Sequence, residues 1–486
     1  MLRAVVVSVC LVLSSLVTSS LAAQSPARRL TLEEALALAG RASESIGIAR
    51  AGVDRARGQQ RQARSELFPQ LTGSASYTRT IRSQFSAFAD DSASSEPPPE
   101  ECRRFVADPA APVGERLDSL ESAVECASNA NPFAAFADLP FGQVNQYNLA
   151  LQASQILYAG GRVRAQGRIA DAARRSAEIE LGAQEAQLRL DVTEAYFDAV
   201  LSDRLVGIAE STLVQSERTL ENTRLAREVG NVPEFDLLRA QVTRDNARPA
   251  VIQRRAQRDI AYLRLRQILE LPLDASLDLA TSLDETPAED SVRAAVSELE
   301  RAAVRRAEEN VRAQEGRLAV ARAGALPSVR VASTFARLGY PEDVLPGWND
   351  FVSDWNVSLS VSLPLFTGGR LSGDRMMARA DLDEARFRLA QTRELAALDA
   401  RSADASLAAA RASWEASAGT VEQAQRAYSI AEIRYREGIS TQTELSESRI
   451  QLEQALANRA QSARDLQVAR VRVTLISDLP LSQAQR

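Results

Sequence analysis

The chain has 486 residues, a formal net charge of −6, 5% aromatic residues and no histidine. Without histidine it lacks the usual general base and the commonest zinc ligand, and its two GGR-type glycine pairs lack the lysine of a phosphate loop, so nothing points to an enzyme or a cofactor. The acidic balance argues against nucleic acid as a partner, and abundant alanine with few aromatics suits long helices packed closely through small side chains.

The chain begins MLRAVVVSVCLVLSSLVTSSLAAQ. Arg3, an apolar core and the small residues Ser20 and Ala22 read as a secretory signal peptide over residues 1–23. The core falls short of the ~20 apolar residues of a membrane-spanning helix, and no later segment reaches that length. An exported chain of this kind that enters a membrane does so as β-structure.

A helix is expected over about 31–66 and a strand over about 70–82. A loop over 83–145 follows, rich in proline and acidic residues. It holds Cys102 and Cys126, the only cysteines after the leader, as a disulfide or as two free thiols. A second strand over about 146–158 runs into YAGGR, with Gly160 and Gly161 at a strand-to-helix junction. A very long helix over about 163–228, a hairpin turn near Gly230 and a helix over about 233–270 complete the half. Residues 271–290, richer in Pro, Asp and Thr, join it to the next.

The same order then recurs: helix about 292–325, strands about 328–340 and 354–366, a junction, helix about 371–436, a turn near Gly438 and helix about 441–477. The second junction is LPLFTGGR, with Pro364, Gly368 and Gly369. Gly160 and Gly230 match Gly368 and Gly438 at a common offset of 208, whereas Pro69 matches Pro327 at 258. The chain is therefore a tandem duplication, 24–290 and 291–486, with an insertion of 50 residues in the first half. Helices of this length would extend ~100 Å, and the segments after each turn can lie back along them as coiled-coil hairpins.

The strands alternate. In the fourth, Trp355, Val357, Leu359, Val361, Leu363 and Leu365 oppose Asn356, Ser358, Ser360 and Ser362. In the second, Leu149, Leu151, Ala153 and Leu157 oppose Asn148, Gln152 and Ser154. A half-buried strand of a soluble sandwich alternates in the same way. A transmembrane reading carries a stricter demand: four strands cannot close into a barrel, whose smallest size is about eight. Open edges are not tolerated in lipid, so several copies would have to share one barrel.

Taken together, the duplication, the junction motifs and the turns EVGNVPEFDLLRAQ and YREGISTQTELSESR resemble the TolC-like outer membrane efflux proteins over almost the whole mature sequence. The resemblance implies a mostly α fold with a transmembrane β part. That fold is a homotrimeric α-helical tunnel of long coiled-coil hairpins, topped by a 12-stranded antiparallel β-barrel with four strands per chain. It implies a passive exit duct in the outer membrane lipid of a Gram-negative cell, extending into the periplasm. Such a duct serves tripartite efflux or type I secretion with a periplasmic adaptor protein and an inner-membrane pump, and is gated at its periplasmic helical end. By position, Glu444 and Glu447 resemble acidic rings at that entrance, and Asp236 and Tyr435 resemble residues that hold it shut. The family can have an arginine where this chain has Ser440, so the closed-state lock should differ. The same residues also suit local roles, since Thr441-x-x-Glu444 is a capping box and Asp236 follows Pro233 in a first turn. Two other classes remain at this point. A periplasmic adaptor should carry one hairpin between β-rich domains; a coiled-coil structural protein of the envelope would not need the alternating strands.

Overall fold

A computed structural model describes residues 28–81, 108–129, 144–284, 301–341 and 343–481. The leader, Cys102 and most of the 83–145 loop lie outside the described residues; of Cys126 only the backbone is described. In chain order the elements are β1 (Arg28–Leu30), α1 (Leu32–Ala42), α2 (Glu44–Ser65), β2 (Gln70–Arg79), α3 (Val113–Asn129), β3 (Asn145–Ala159), α4 (Arg162–Glu228), α5 (Glu234–Ile268), β4 (Leu277–Leu279), α6 (Ala302–Ala323), β5 (Ser328–Gly339), β6 (Phe351–Ser362), α7 (Arg370–Arg436) and α8 (Gln442–Thr474). The two longest helices, α4 and α7, are each 67 residues. The chain divides into two compact units, a helical one (Met1–Gln60, Arg168–Gly316, Met377–Arg486) and a sheet one (Arg61–Gly167, Arg317–Met376).

The helical unit is built on small side chains. Its largest cluster of buried residues joins Ala195, Ala199, Ala460 and Ala463 to Leu30, Val192, Phe197 and Leu265. Alanines let helices approach closely, so dispersion contacts replace bulk. Tyr196 is fully buried in this cluster, and its hydroxyl donates to the Leu30 carbonyl (2.8 Å) and accepts the Thr281 N–H (3.0 Å). It thereby ties α4 to the parallel pair β1–β4. That pair was not expected from sequence, because three-residue strands are too short to show alternation. A second anchor is ionic. Arg301, 1% exposed, donates to Asp399 Oδ2 (2.7 Å), and Arg472 lies 3.6 Å from Oδ1.

The helix expected over 31–66 is two helices, α1 and α2, separated at Ser43. Ser43 takes an extended ψ of 119°, its hydroxyl accepts the Ile46 N–H (3.5 Å), and the Glu44 N–H finds Glu270 Oε1 (2.7 Å). Side chains thus cap the new helix start. The segment read as loop contains helix α3.

The sheet unit carries one antiparallel sheet of order β2-β3-β5-β6. β6 begins and ends before the expected 354–366, closing at Ser362. Pro364 explains the end, since it brings no N–H to a ladder. Leu363 and Leu365 therefore lie beyond the strand. A bulge at Ile156/Tyr158 shifts parity in β3, so that Tyr158 and not Leu157 pairs with Val329. At the first junction Gly160 has φ +59°, and a Cβ there would sit 2.7 Å from that of Leu326; no other residue fits.

Replacing Asp399 by Asn should leave the Arg301 charge buried without its counter-ion. The expected loss is about 3–5 kcal/mol in chemical denaturation of the helical unit. An unchanged midpoint would show that the pair contributes nothing.

Candidate functional site

Two regions carry the chemistry, one in each unit. In the helical unit, both hairpin turns close the same way. Gly230 and Gly438 adopt φ +81° and +70°. Gly230 N donates to Arg227 O (3.0 Å) and Asn231 N to Ala226 O (2.8 Å); Gly438 N donates to Tyr435 O (3.1 Å) and Ile439 N to Arg434 O (2.8 Å). Both are Schellman closures, in which a left-handed glycine satisfies the last helical carbonyls. Asp236 and Glu444, 208 residues apart, each stand in the first turn of the following helix. A carboxylate is favourable there because the peptide dipoles point their positive end toward it.

The capping box expected at Thr441 forms only by half. Thr441 Oγ1 accepts the Glu444 N–H (3.4 Å), but the Glu444 carboxylate turns to Arg434, 3.5 Å away in the same hairpin. At Thr31 the same motif closes completely, with Glu34 reaching back to the Thr31 N–H (3.1 Å). Glu447 is exposed and forms no ion pair among the described residues.

Tyr435 does not meet Asp236. Its hydroxyl lies 2.9 Å from Thr223 Oγ1. The Thr223 proton is already given to the Thr219 carbonyl (2.8 Å), so Tyr435 is the donor. Asp236 contributes its backbone. In the amide orientation that satisfies both ends, Gln442 donates to the Asp236 carbonyl (3.0 Å) and accepts from the Ala240 N–H (3.1 Å). Arg239 donates to Thr443, and Arg449 to Ser216. These four links join the first hairpin to the second, and none pairs opposite charges. Ser440, where the family can have arginine, has a buried hydroxyl without a partner.

Around Arg449 lies a cavity of about 20 Å³, lined in part by Ser216, Thr219, Thr243 and Tyr428. It is large enough for one water. Burial pushes the Arg449 pKa below the usual guanidinium value, against the opposing pull of Glu453. Thr223, Arg239, Gln442 and Arg449 had no signal in the sequence beyond lying on amphipathic helices, because their partners come from the other repeat.

In the sheet unit, register sorts the side chains. Directly paired residues share a face. Leu71, Tyr77, Leu149, Leu151, Val331, Phe335, Trp355, Val357, Leu359 and Val361 therefore fall on one face. Thr72, Ser74, Asn148, Gln152, Thr334, Asn356 and Ser358 fall on the other. The apolar face is bare; Trp355 is 73% and Leu359 65% exposed. At its loop end stand Tyr77 and Tyr147, ring centroids 4.7 Å apart, with Trp348 and Phe351. Among the described residues β2 and β6 each pair on one side only.

A family model described as outer membrane efflux protein matches residues 123–270 and 296–477. The probable efflux pump outer membrane protein SepC of Pseudomonas putida is 28% identical over 245 residues, 49% of this chain and 50% of that protein. The outer membrane efflux protein BepC of Brucella suis is 25% identical over 295 residues, covering 57% of this chain and 60% of that one. The chain thus spans about half the length of the first curated relative it matches. The outer membrane channel CmeC of Campylobacter jejuni has a similar fold, with a TM-score of 0.72 at 17% identity over 93% of this chain and 87% of that one.

Replacing Tyr435 by Phe should cost about 1 kcal/mol of local stability. Amide exchange around residues 428–449 should then accelerate about fivefold. Unchanged exchange would show that the Thr223 bond holds nothing.

Proposed function

The chain belongs to the outer membrane efflux protein family, whose members are channel proteins of the outer membrane rather than enzymes, and from that premise we propose that it is the exit duct of a tripartite pump or type I secretion system. The adaptor and structural-rod readings fall with that membership. The single observation that carries the proposal is the sheet: one bare apolar face, one hydroxyl and amide face, and two unpaired edges.

In this reading the apolar face meets lipid and the polar face lines water. β2 and β6 run in opposite directions, since three antiparallel pairings separate them. β6 of one copy can therefore accept β2 of the next without breaking the antiparallel order. Three copies give twelve strands, above the minimum of about eight and wide enough for an open lumen. β6 spans 12 residues. At ~3.3 Å per residue and a tilt near 40°, that rises about 30 Å, enough to cross an apolar band of ~25 Å.

The helical hairpins would then form the tunnel into the periplasm, with the turns at Gly230 and Gly438 as its entrance. Phe235, Leu238 and Val242 form an exposed apolar stripe beside the first turn, which supports contact there with a neighbouring copy or an adaptor. The hydroxyl, amide and arginine links between hairpins would hold the closed form. An inner-membrane pump supplies the energy and selects the cargo.

Purified protein in a planar bilayer should give stable single-channel conductance. Glu447→Gln should lower cation preference more than Glu444→Gln, because Arg434 already offsets the Glu444 charge in each hairpin. Equal preference in all three forms would remove these carboxylates from the ion path. A protein that never conducts would remove the duct itself.

A further inference from the structure

Arginine is out of place on the lipid-facing side of a membrane strand, yet this side carries two. Alternation and register put Arg79 on the apolar face of β2 and Arg337 on that of β5. They are the only charged residues on that face of the four strands. The other face carries Arg330 and Asp354. Both lipid-side arginines lie toward the loop end of the sheet. Arg79 ends its strand, and Arg337 is two residues from the end of its own.

Neither forms an ion pair among the described residues. Arg337 is half-buried, and its Nε has no hydrogen-bond partner. Its Cζ lies 5.7 Å from the Trp348 ring centroid, drawn toward the loop and away from the apolar band. Asp350 forms no ion pair with it; the Asp350 Oδ2 accepts the Gly347 N–H (2.6 Å). Arg79 is exposed. An uncompensated arginine is unfavourable against hydrocarbon, and the penalty fades only near the interface. A planar guanidinium beside an aromatic ring is suited to a phosphate, which it can grip by two parallel hydrogen bonds.

We propose that Arg79 and Arg337 form, at the loop end of each protomer's lipid-facing side, a binding site for the phosphate groups of an anionic lipid in the outer leaflet. The inference rests on the duct reading above, which fixes that face as outward and that end as extracellular. The two positions stand two strands and four residues apart, on the order of 16 Å between backbones. At that spacing each guanidinium can take its own phosphate group, on one glycolipid or on two adjacent lipids. Tyr77, Tyr147 and Phe351 occupy the row between them and would hold the sugar and upper acyl region.

The test uses the assembled protein in neutral detergent. Lipid A is added either intact or with its phosphates removed, and the lipid retained after repurification is counted by native mass spectrometry. Intact lipid should be retained about tenfold more than the dephosphorylated form, and the double variant Arg79→Gln/Arg337→Gln should lose that advantage. Arg330→Gln, on the opposite face, should keep it, and Arg79→Lys/Arg337→Lys, which keeps the charge without the paired hydrogen bonds, should keep only part of it. If the glutamine variant fails to assemble, the two lipid forms on the unchanged protein and the lysine variant still decide. Equal retention of both lipids, an equal loss in Arg330→Gln, or full displacement by excess inorganic phosphate would overturn the site. A channel that conducts normally while failing these tests loses only the site; one that never enters a bilayer loses the duct as well.

Discussion

A backbone N–H or C=O at the edge of a sheet needs a partner, and hydrocarbon offers none. Each such group left bare in lipid costs several kcal/mol. Among the described residues β2 and β6 each leave one edge unpaired, while the face between them is apolar and bare, the face that the proposed duct sets against lipid. These two facts are compatible only if other copies supply the missing edges. In the proposed duct, oligomerisation is a hydrogen-bonding requirement and not an added feature, and every other element must be arranged to permit it.

The duplication meets that requirement economically. Each repeat contributes two strands and one long hairpin, and the repeats share their backbone devices. Gly160 and Gly368 both have φ +59°, and α4 and α7 have equal lengths. The repeats then diverge where their side chains meet. Asp236 and Glu444 occupy the same place after their turns, but Glu444 pairs with Arg434 while Asp236 offers its carbonyl to Gln442. Links of hydroxyls, an amide and two arginines that face hydroxyls separate no pair of opposite charges when they part. In the proposed duct such links would hold a closed form that yields to a partner without a large electrostatic penalty.

The long helices and the alternating strands could be read from the sequence because their periods persist over many residues. The left-handed glycines stood out as well, since few other residues tolerate that backbone. The edges of the reading failed for local reasons. Pro364 ended β6 earlier than the alternation suggested, a bulge moved Leu157 off the pattern, and Ser43 divided a helix whose apolar period runs on. The β1–β4 pair was too short to announce itself. At the turns, sequence pointed to Tyr435 but not to Thr223, because a contact between residues 212 apart leaves no trace in either neighbourhood. The arginines on the lipid side needed the register before their face was known.

The most direct test of the shared barrel is a disulfide between copies. Cysteines placed singly along β2 and along β6, in a chain freed of its own, would be paired and oxidised in the native membrane. Trimers linked covalently at one register of β6 against β2, migrating as a single heat-stable species under denaturing conditions, are the predicted result. Free labelling of both strands by a water-soluble thiol reagent at every position, with no cross-linked species, would contradict it.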